Sequence, residues 1–192
     1  MTSETPEGRL EAVLSAVIEA LPSAAGRERA HLLKRAGDAC VSMGEPRRAL
    51  SWYGRAVDQW LELGDASQAA LLCRLIIFVQ PEAVRARCTL TWIALGAERH
   101  AEVAPLLKDY VEAARHAGQT QVAAQQLGWM FEAAHTEPTR ARIVVGMLRL
   151  GETERAEALA AELAGMAPGS GAADREELWT RVLRAAVGTP AV

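Results

Sequence analysis

The side chains in this sequence that could carry chemistry are few, and their spacing suits none of the common reactions. A zinc site needs nitrogen and sulfur ligands grouped closely, such as two histidines one helical turn apart or a CxxC pair. His31, His100, His116 and His135 form neither an HExxH motif nor any i, i+4 pair, and Cys40, Cys73 and Cys88 stand singly. No metal ligand set is expected, and each cysteine falls where a small buried apolar residue would fit. A phosphate-cradling loop needs glycines followed by Lys-Ser or Lys-Thr. The only lysines are Lys34 and Lys108, and the glycine-rich run from Gly165 to Gly171 contains neither. Glu152 with Glu154, and Glu176 with Glu177, are spaced so that the carboxylates of each pair point away from one another on a helix. Trp52, Trp60, Trp92, Trp129 and Trp179 could form an aromatic cage, but their positions suit core packing better. The expectation is a protein with no catalytic residue and no cofactor.

Partners are bounded by charge and by hydropathy. A formal charge of −3, with arginines and glutamates interspersed along the 192 residues, supplies no basic face for a polyanion, so nucleic acid is not an expected partner. The run from Leu10 to Leu21 is interrupted by Glu11 and Glu19 and reads as an amphipathic helix rather than a leader. No stretch approaches the roughly 18 apolar residues of a membrane span. A cytoplasmic protein without membrane insertion is expected.

The elements must be helices. Half of the residues are apolar, yet Phe and Tyr number only two each, while Ala, Leu, Glu and Arg dominate. Punctuation predicts about ten helices, over 8–21, 28–43, 46–63, 66–79, 82–95, 99–117, 120–134, 138–149, 153–165 and 174–187. Pro46 suits a first turn, Asp65, Ser67 and Thr120 are candidate caps, and glycines suit the left-handed position after a helix end. Pro105 should kink the sixth helix unless that helix begins near Val103.

Internal repeats organise these helices. Leu33-x2-Ala36-Gly37-x2-Cys40, Gly44-Glu45 and Ala49-x3-Tyr53-x2-Ala56 form one copy, and Tyr53 to Pro81 forms an overlapping second. Further copies run through Cys88, Trp92, Gly96 and Ala101, then Tyr110 to Met130, then Ile143 to Leu163 with Pro168. The turn glycines at 44, 64, 96, 118 and 151 alternate short and long spacings, which gives a superrepeat of three helices every 52 to 55 residues. These motifs resemble the tetratricopeptide family, whose usual period is about 34. The resemblance implies an all-α, right-handed superhelical solenoid. Residues 1–27 would be an N-terminal helix, 28–168 the tetratricopeptide-like array, and 169–192 a linker with a capping helix.

In such arrays the first helix of each repeat lines a concave groove that receives a peptide or a partner helix. The resemblance therefore directs attention to Lys34, Asp38 and Val41, to Arg87, Leu90 and Ile93, and to Arg142, Val145 and Leu148. Relatives that clamp a C-terminal carboxylate use a basic residue followed one turn later by asparagine. Lys34 matches, but Asp38 would repel that ligand, and Ala83 and Ala86 leave other polar contacts missing. An apolar peptide or amphipathic helix is the better guest, and the expected function is an adaptor or scaffold that binds another protein. Two alternatives accompany it. One is a chaperone for secreted subunits, resembling the type III secretion class; the other is a self-assembling component whose groove receives a terminal helix, 8–21 or 174–187, from a second copy.

Overall fold

The computed structural model describes residues 6–165 and 172–187. Among them ten helices and no strand are found: α1 (Pro6–Ala20), α2 (Gly26–Ser42), α3 (Pro46–Glu62), α4 (Ala66–Val79), α5 (Val84–Gly96), α6 (His100–His116), α7 (Thr120–Ala133), α8 (Glu137–Arg149), α9 (Thr153–Ala164) and α10 (Ala172–Val187). The protein is all-helical, and every helix end lies within two residues of its expected place. Residues 166–171, which include Pro168 and the start of the expected linker, lie outside the described residues.

Five of the junctions share one design. Gly44, Gly64, Gly118 and Gly151 adopt φ of 78°, 72°, 67° and 86°, and Glu98 adopts 53°. The residue after each of them donates its N–H back into the finished helix. Glu45 reaches Cys40 O at 2.8 Å, Asp65 reaches Trp60 O at 2.9 Å, Arg99 reaches Ala94 O at 3.0 Å, Gln119 reaches Ala114 O at 2.9 Å and Glu152 reaches Met147 O at 3.2 Å. This is the Schellman closure, which satisfies carbonyls that a helix end would otherwise leave bare. The same residue then opens the next helix, because its carbonyl accepts from Ala49, Ala69, Val103, Ala123 or Ala156. All five of those acceptor-bound residues are buried.

The third junction departs from expectation. Gly96 remains inside α5, and the left-handed residue is Glu98, two positions later. The copy framed on Gly96 and Ala101 therefore shifts by two, since Ala101 is exposed and Val103 is buried. With that shift the left-handed residues at 44, 64, 98, 118 and 151 stand 20, 34, 20 and 33 apart. The helices follow the same step: α3 and α6 each have 17 residues, α4 and α7 each have 14, and both pairs start 54 positions apart. Burial repeats with them, as Ala49, Tyr53, Ala56, Val57 and Trp60 of α3 correspond to Val103, Leu107, Tyr110, Val111 and Ala114 of α6.

Capping and proline placement are partly as expected. Pro46 is the first residue of α3, and the Asp65 carboxylate accepts from Gln68 N at 3.1 Å. Thr120 does not cap; it is already the first residue of α7. Helix α6 begins at His100, not at Val103, and runs through Pro105. Proline deprives the Ala101 carbonyl of its helical donor, and both residues lie on the exposed side.

The chain divides into two compact units, residues 1–86 and 87–192. In the first, α1 packs on α2, α2 on α3 and α3 on α4. Leu10, Leu14 and Val17 anchor α1, each contributing roughly 1.5–3 kcal/mol by burial. Helices α2 and α3 pack tightly at Gly37, where a β-carbon would enter the Tyr53 ring. That ring is buried, and its hydroxyl is tied to Asp38 Oδ1 at 2.9 Å, so it has no room to swing aside. In the second unit α8 is central, packing against α6, α7, α9 and α10.

Two substitutions test this account. Helix propensity alone favours alanine over glycine by about 1 kcal/mol, yet Gly37→Ala should lower stability by about 1–3 kcal/mol through overpacking. Glu98→Gly should raise it by about 1 kcal/mol by relieving the left-handed backbone of a residue with a β-carbon. Denaturant midpoints of both variants against the parent protein decide the matter.

Candidate functional site

The expected groove residues fall into three different settings. Lys34 and Asp38 lie one turn apart on α2 and pair with each other, Nζ to Oδ2 at 2.6 Å, while Asp38 also accepts from the Tyr53 hydroxyl. Val41, one turn further, is 41% exposed. On α5, Arg87 is half-buried and contacts the Asp109 carboxylate at 3.4 Å. Leu90 and Ile93 are buried. Neither can anchor a guest without leaving the core, so the expected open face of α5 is not there. The cause is the two-residue frame shift: Leu90 is the counterpart of buried Ala36, and the counterpart of Asp38 is Trp92.

Helix α8 carries the remaining three expected residues. Arg142 and Val145 both line a hollow of about 330 Å³ between α6, α8 and α10; Leu148 is half-buried and outside that lining. Its apolar surface comes from Leu107 and Val111 of α6, Val145 of α8, and Leu183 and Val187 of α10. Leu183 is 51% exposed and Val187 is 81% exposed. Lys108, Arg142 and Arg149 stand around it. Arg142 also fastens the α10 wall, donating from Nε to Ala186 O at 2.9 Å. Lys108 lies 3.9 Å from the Glu112 carboxylate, a contact too exposed to neutralise it strongly. Arg149 has no ion-pair or hydrogen-bond partner among the described residues, and it sits in the last turn of α8, where the helix dipole favours a cation. The hollow is thus apolar within and positive at its edge.

Sequence reasoning missed Lys108, Arg149, Leu183 and Val187 because they come together only when α6 and α10 pack on α8. It also placed Trp129 in the core, whereas Trp129 is 51% exposed. Of the other tryptophans, Trp60 is buried with its ring nearly perpendicular to that of His31, and Trp92 donates Nε1–H to Gln126 Oε1 at 2.9 Å. Trp52 and Trp179 are half-buried. Among the described residues no group of three or more His, Cys, Asp or Glu side chains could hold a metal ion. No helix of the described residues is long and apolar enough to cross a membrane. No protein-family model matches the chain, and no curated protein matches it.

Burial outweighs the groups that would activate the thiols. Burial pushes the Cys73 thiol up from 9.0 to about 12, and burial also raises Cys40 and Cys88, the latter opposed by a hydrogen bond with the Tyr110 hydroxyl. A thiol held above its unfolded value contributes stability that is complete below about pH 9 and is lost as pH climbs towards 12. Denaturant midpoints should therefore decline through that window, and less steeply in Cys73→Ala. At pH 8, Ellman's reagent should leave the native thiols largely unmodified and titrate all three cysteines after denaturation.

Proposed function

We propose that this chain is a non-catalytic adaptor that docks a segment of another protein against the hollow formed by α6, α8 and α10. The observation that carries the reading is the union of an apolar interior (Leu107, Val111, Val145, Leu183, Val187) with three cations at the rim, Lys108, Arg142 and Arg149. An amphipathic helix answers that pattern. Its apolar face would fill the interior, and acidic residues along its flanks would meet the cations, which adds orientation and association rate more than raw affinity. A second helix is also the natural companion of a surface already made of helices.

The repeated Schellman junctions, the small residues at the starts of α3, α4, α7 and α9, and the 54-residue step support membership of a tetratricopeptide-like class of helical arrays. In that reading the chain forms a right-handed solenoid, works in the cytoplasm, and uses successive helices to present docking faces. Lys34, Asp38 and Val41 then belong to the partly exposed face of α2 in the first unit. A chaperone for secreted subunits would use the same apolar interior and is a special case of this function.

A self-assembling component is favoured by one specific observation. One wall of the hollow is the chain's own terminal helix, so the same helix from a second copy has a ready surface. Sedimentation over a wide concentration range separates the two readings, since only self-assembly makes mass depend on concentration.

For the adaptor reading, the test is affinity capture with the parent protein and with Lys108→Glu/Arg149→Glu, each followed by mass spectrometry. Both cations are exposed, so the double variant should keep its helicity and melting temperature. A true partner should be retained by the parent and lost from the variant, and its capture should weaken as salt rises. Equal retention by both proteins would remove the hollow from the function.

A further inference from the structure

Helix α10 is held unevenly along its length. Among its described side chains Leu178 and Val182 are buried, and both precede the last turn. From there on nothing is buried: Leu183, Arg184 and Val187 are exposed, and Ala185 and Ala186 are half-buried. The last four carbonyls of a helix have no donor within it, and in α10 they belong to residues 184–187. One of them, Ala186 O, accepts from Arg142 Nε of α8 at 2.9 Å. Among the described residues no other hydrogen bond ties this turn to a neighbouring helix. The same turn supplies Leu183, Ala186 and Val187 to the lining of the α6–α8–α10 hollow.

We propose that the last turn of α10 is a movable wall of that hollow, and that Arg142 is the latch that holds it closed. The use of the wall as a regulator rests on the reading of the hollow as a docking site; the latch itself does not. Two effects meet in it. A guanidinium that donates to a bare helix carbonyl makes a charge-assisted bond, and a cation beside a helix C-terminus lies at the negative end of the dipole. With no buried side chain in the turn, its helical form depends on this bond far more than residues 176–182 do.

Breaking the bond lets the turn unwind and removes three residues from the lining. Leu107, Val111 and Val145 then lie on an open face with less apolar surface to grip a guest. The closed wall is the binding form. Because coupling between binding and closure is reciprocal, a guest that fills the hollow also holds the turn shut. The three cations thus have different duties. Arg142 is a positioning residue whose Nε is committed to the wall, and Lys108 and Arg149 supply the charge that meets a guest's acidic groups. A guest carboxylate that drew Arg142 off Ala186 would dismantle the wall it binds against.

Hydrogen exchange followed by nitrogen-15 NMR on the full chain tests the latch. In the parent protein the Arg142 Nε–H resonance, assigned by its loss in Arg142→Lys, should exchange more slowly than that of exposed Arg115. In Arg142→Gln the amides of 184–187, which bond to the carbonyls of 180–183, should exchange about tenfold faster, the loss expected for one charge-assisted hydrogen bond. Those of 176–181 should stay as in the parent. Equal acceleration along all of α10 would reveal a general loss of stability, and unchanged exchange at 184–187 would show that the bond holds nothing; either result overturns the proposal, as does an Arg142 Nε–H that exchanges as fast as that of Arg115. Lys108→Glu/Arg149→Glu should keep the parent's exchange at 184–187. If that variant still captures the parent's partner, the docking reading falls and the latch is judged by exchange alone. If capture is lost from it while Arg142→Gln leaves 184–187 unmoved, the latch falls and the docking reading stands.

Discussion

The fold depends on a backbone constraint that recurs five times: one residue must close a helix, turn left-handed, and hand over to a neighbour that opens the next helix. The handover fixes geometry because both hydrogen bonds end on the same short segment. Glu45 donates to Cys40 O and accepts from Ala49, and Asp65, Arg99, Gln119 and Glu152 do the same in their places. There is no slack residue to absorb a change of angle, so the second helix must leave at a set direction. It then meets the first at once, which is why the residue received at each junction is Ala or Val and is buried. A larger side chain there would force the helices apart before any core could form.

Close crossing has consequences for what lies outside. Where helices approach through alanine and glycine, the larger residues are pushed to flanking positions, and hollows open beside the contacts. Gly146 of α8 shows the inner half of this: its position is bounded by Val111 of α6 and Leu127 of α7, each within 3.4 Å of where a β-carbon would be. Immediately beyond that contact, α8 contributes Val145 and Arg149 to the cationic hollow and Met147 to a second hollow, lined by Gln121 and Gln125 of α7 and Ala158 of α9. The two hollows are by-products of the same economy of side-chain volume, but they differ in chemistry because different helices wall them. Cations from α6 and α8 border the first, and carboxamides from α7 border the second.

Much of this was legible in the sequence, for a physical reason. Helix ends are local events, decided by Pro46, by Asp65 and by glycines that accept positive φ, so ten helices could be placed within two residues. The failures were failures of frame or of distance. Glu98 carries a conformation that glycine normally takes, and nothing in its type announces it. Choosing Gly96 instead rotated α5 by two positions and turned the buried Leu90 and Ile93 into an apparent open face. Trp129 looked like a core residue because tryptophan is usually buried, whereas its counterpart 54 positions earlier is the half-buried Leu75. The cationic hollow was out of reach altogether. Lys108, Arg149 and Leu183 belong to three helices, and no periodicity within any one of them records the meeting.

The outward face of α7 is held in place from within. Gln126, next in sequence to Gln125, points the other way: its Oε1 accepts from Trp92 Nε1, and the Cys88 thiol lies 3.8 Å from the same oxygen. Cys88 in turn bonds the buried Tyr110 hydroxyl of α6. A partly buried polar network of this kind is strong only when its members are aligned, and it penalises rotation of any helix that carries one of them. Turning α7 about its axis would break the Trp92 bond and bury an unsatisfied carboxamide. The same lock therefore fixes the heading of Gln121, Gln125 and Trp129. Two adjacent glutamines thus have opposite duties: Gln126 sets the rotation of the helix, and Gln125 is left free, at a fixed height and direction, for whatever lies against it.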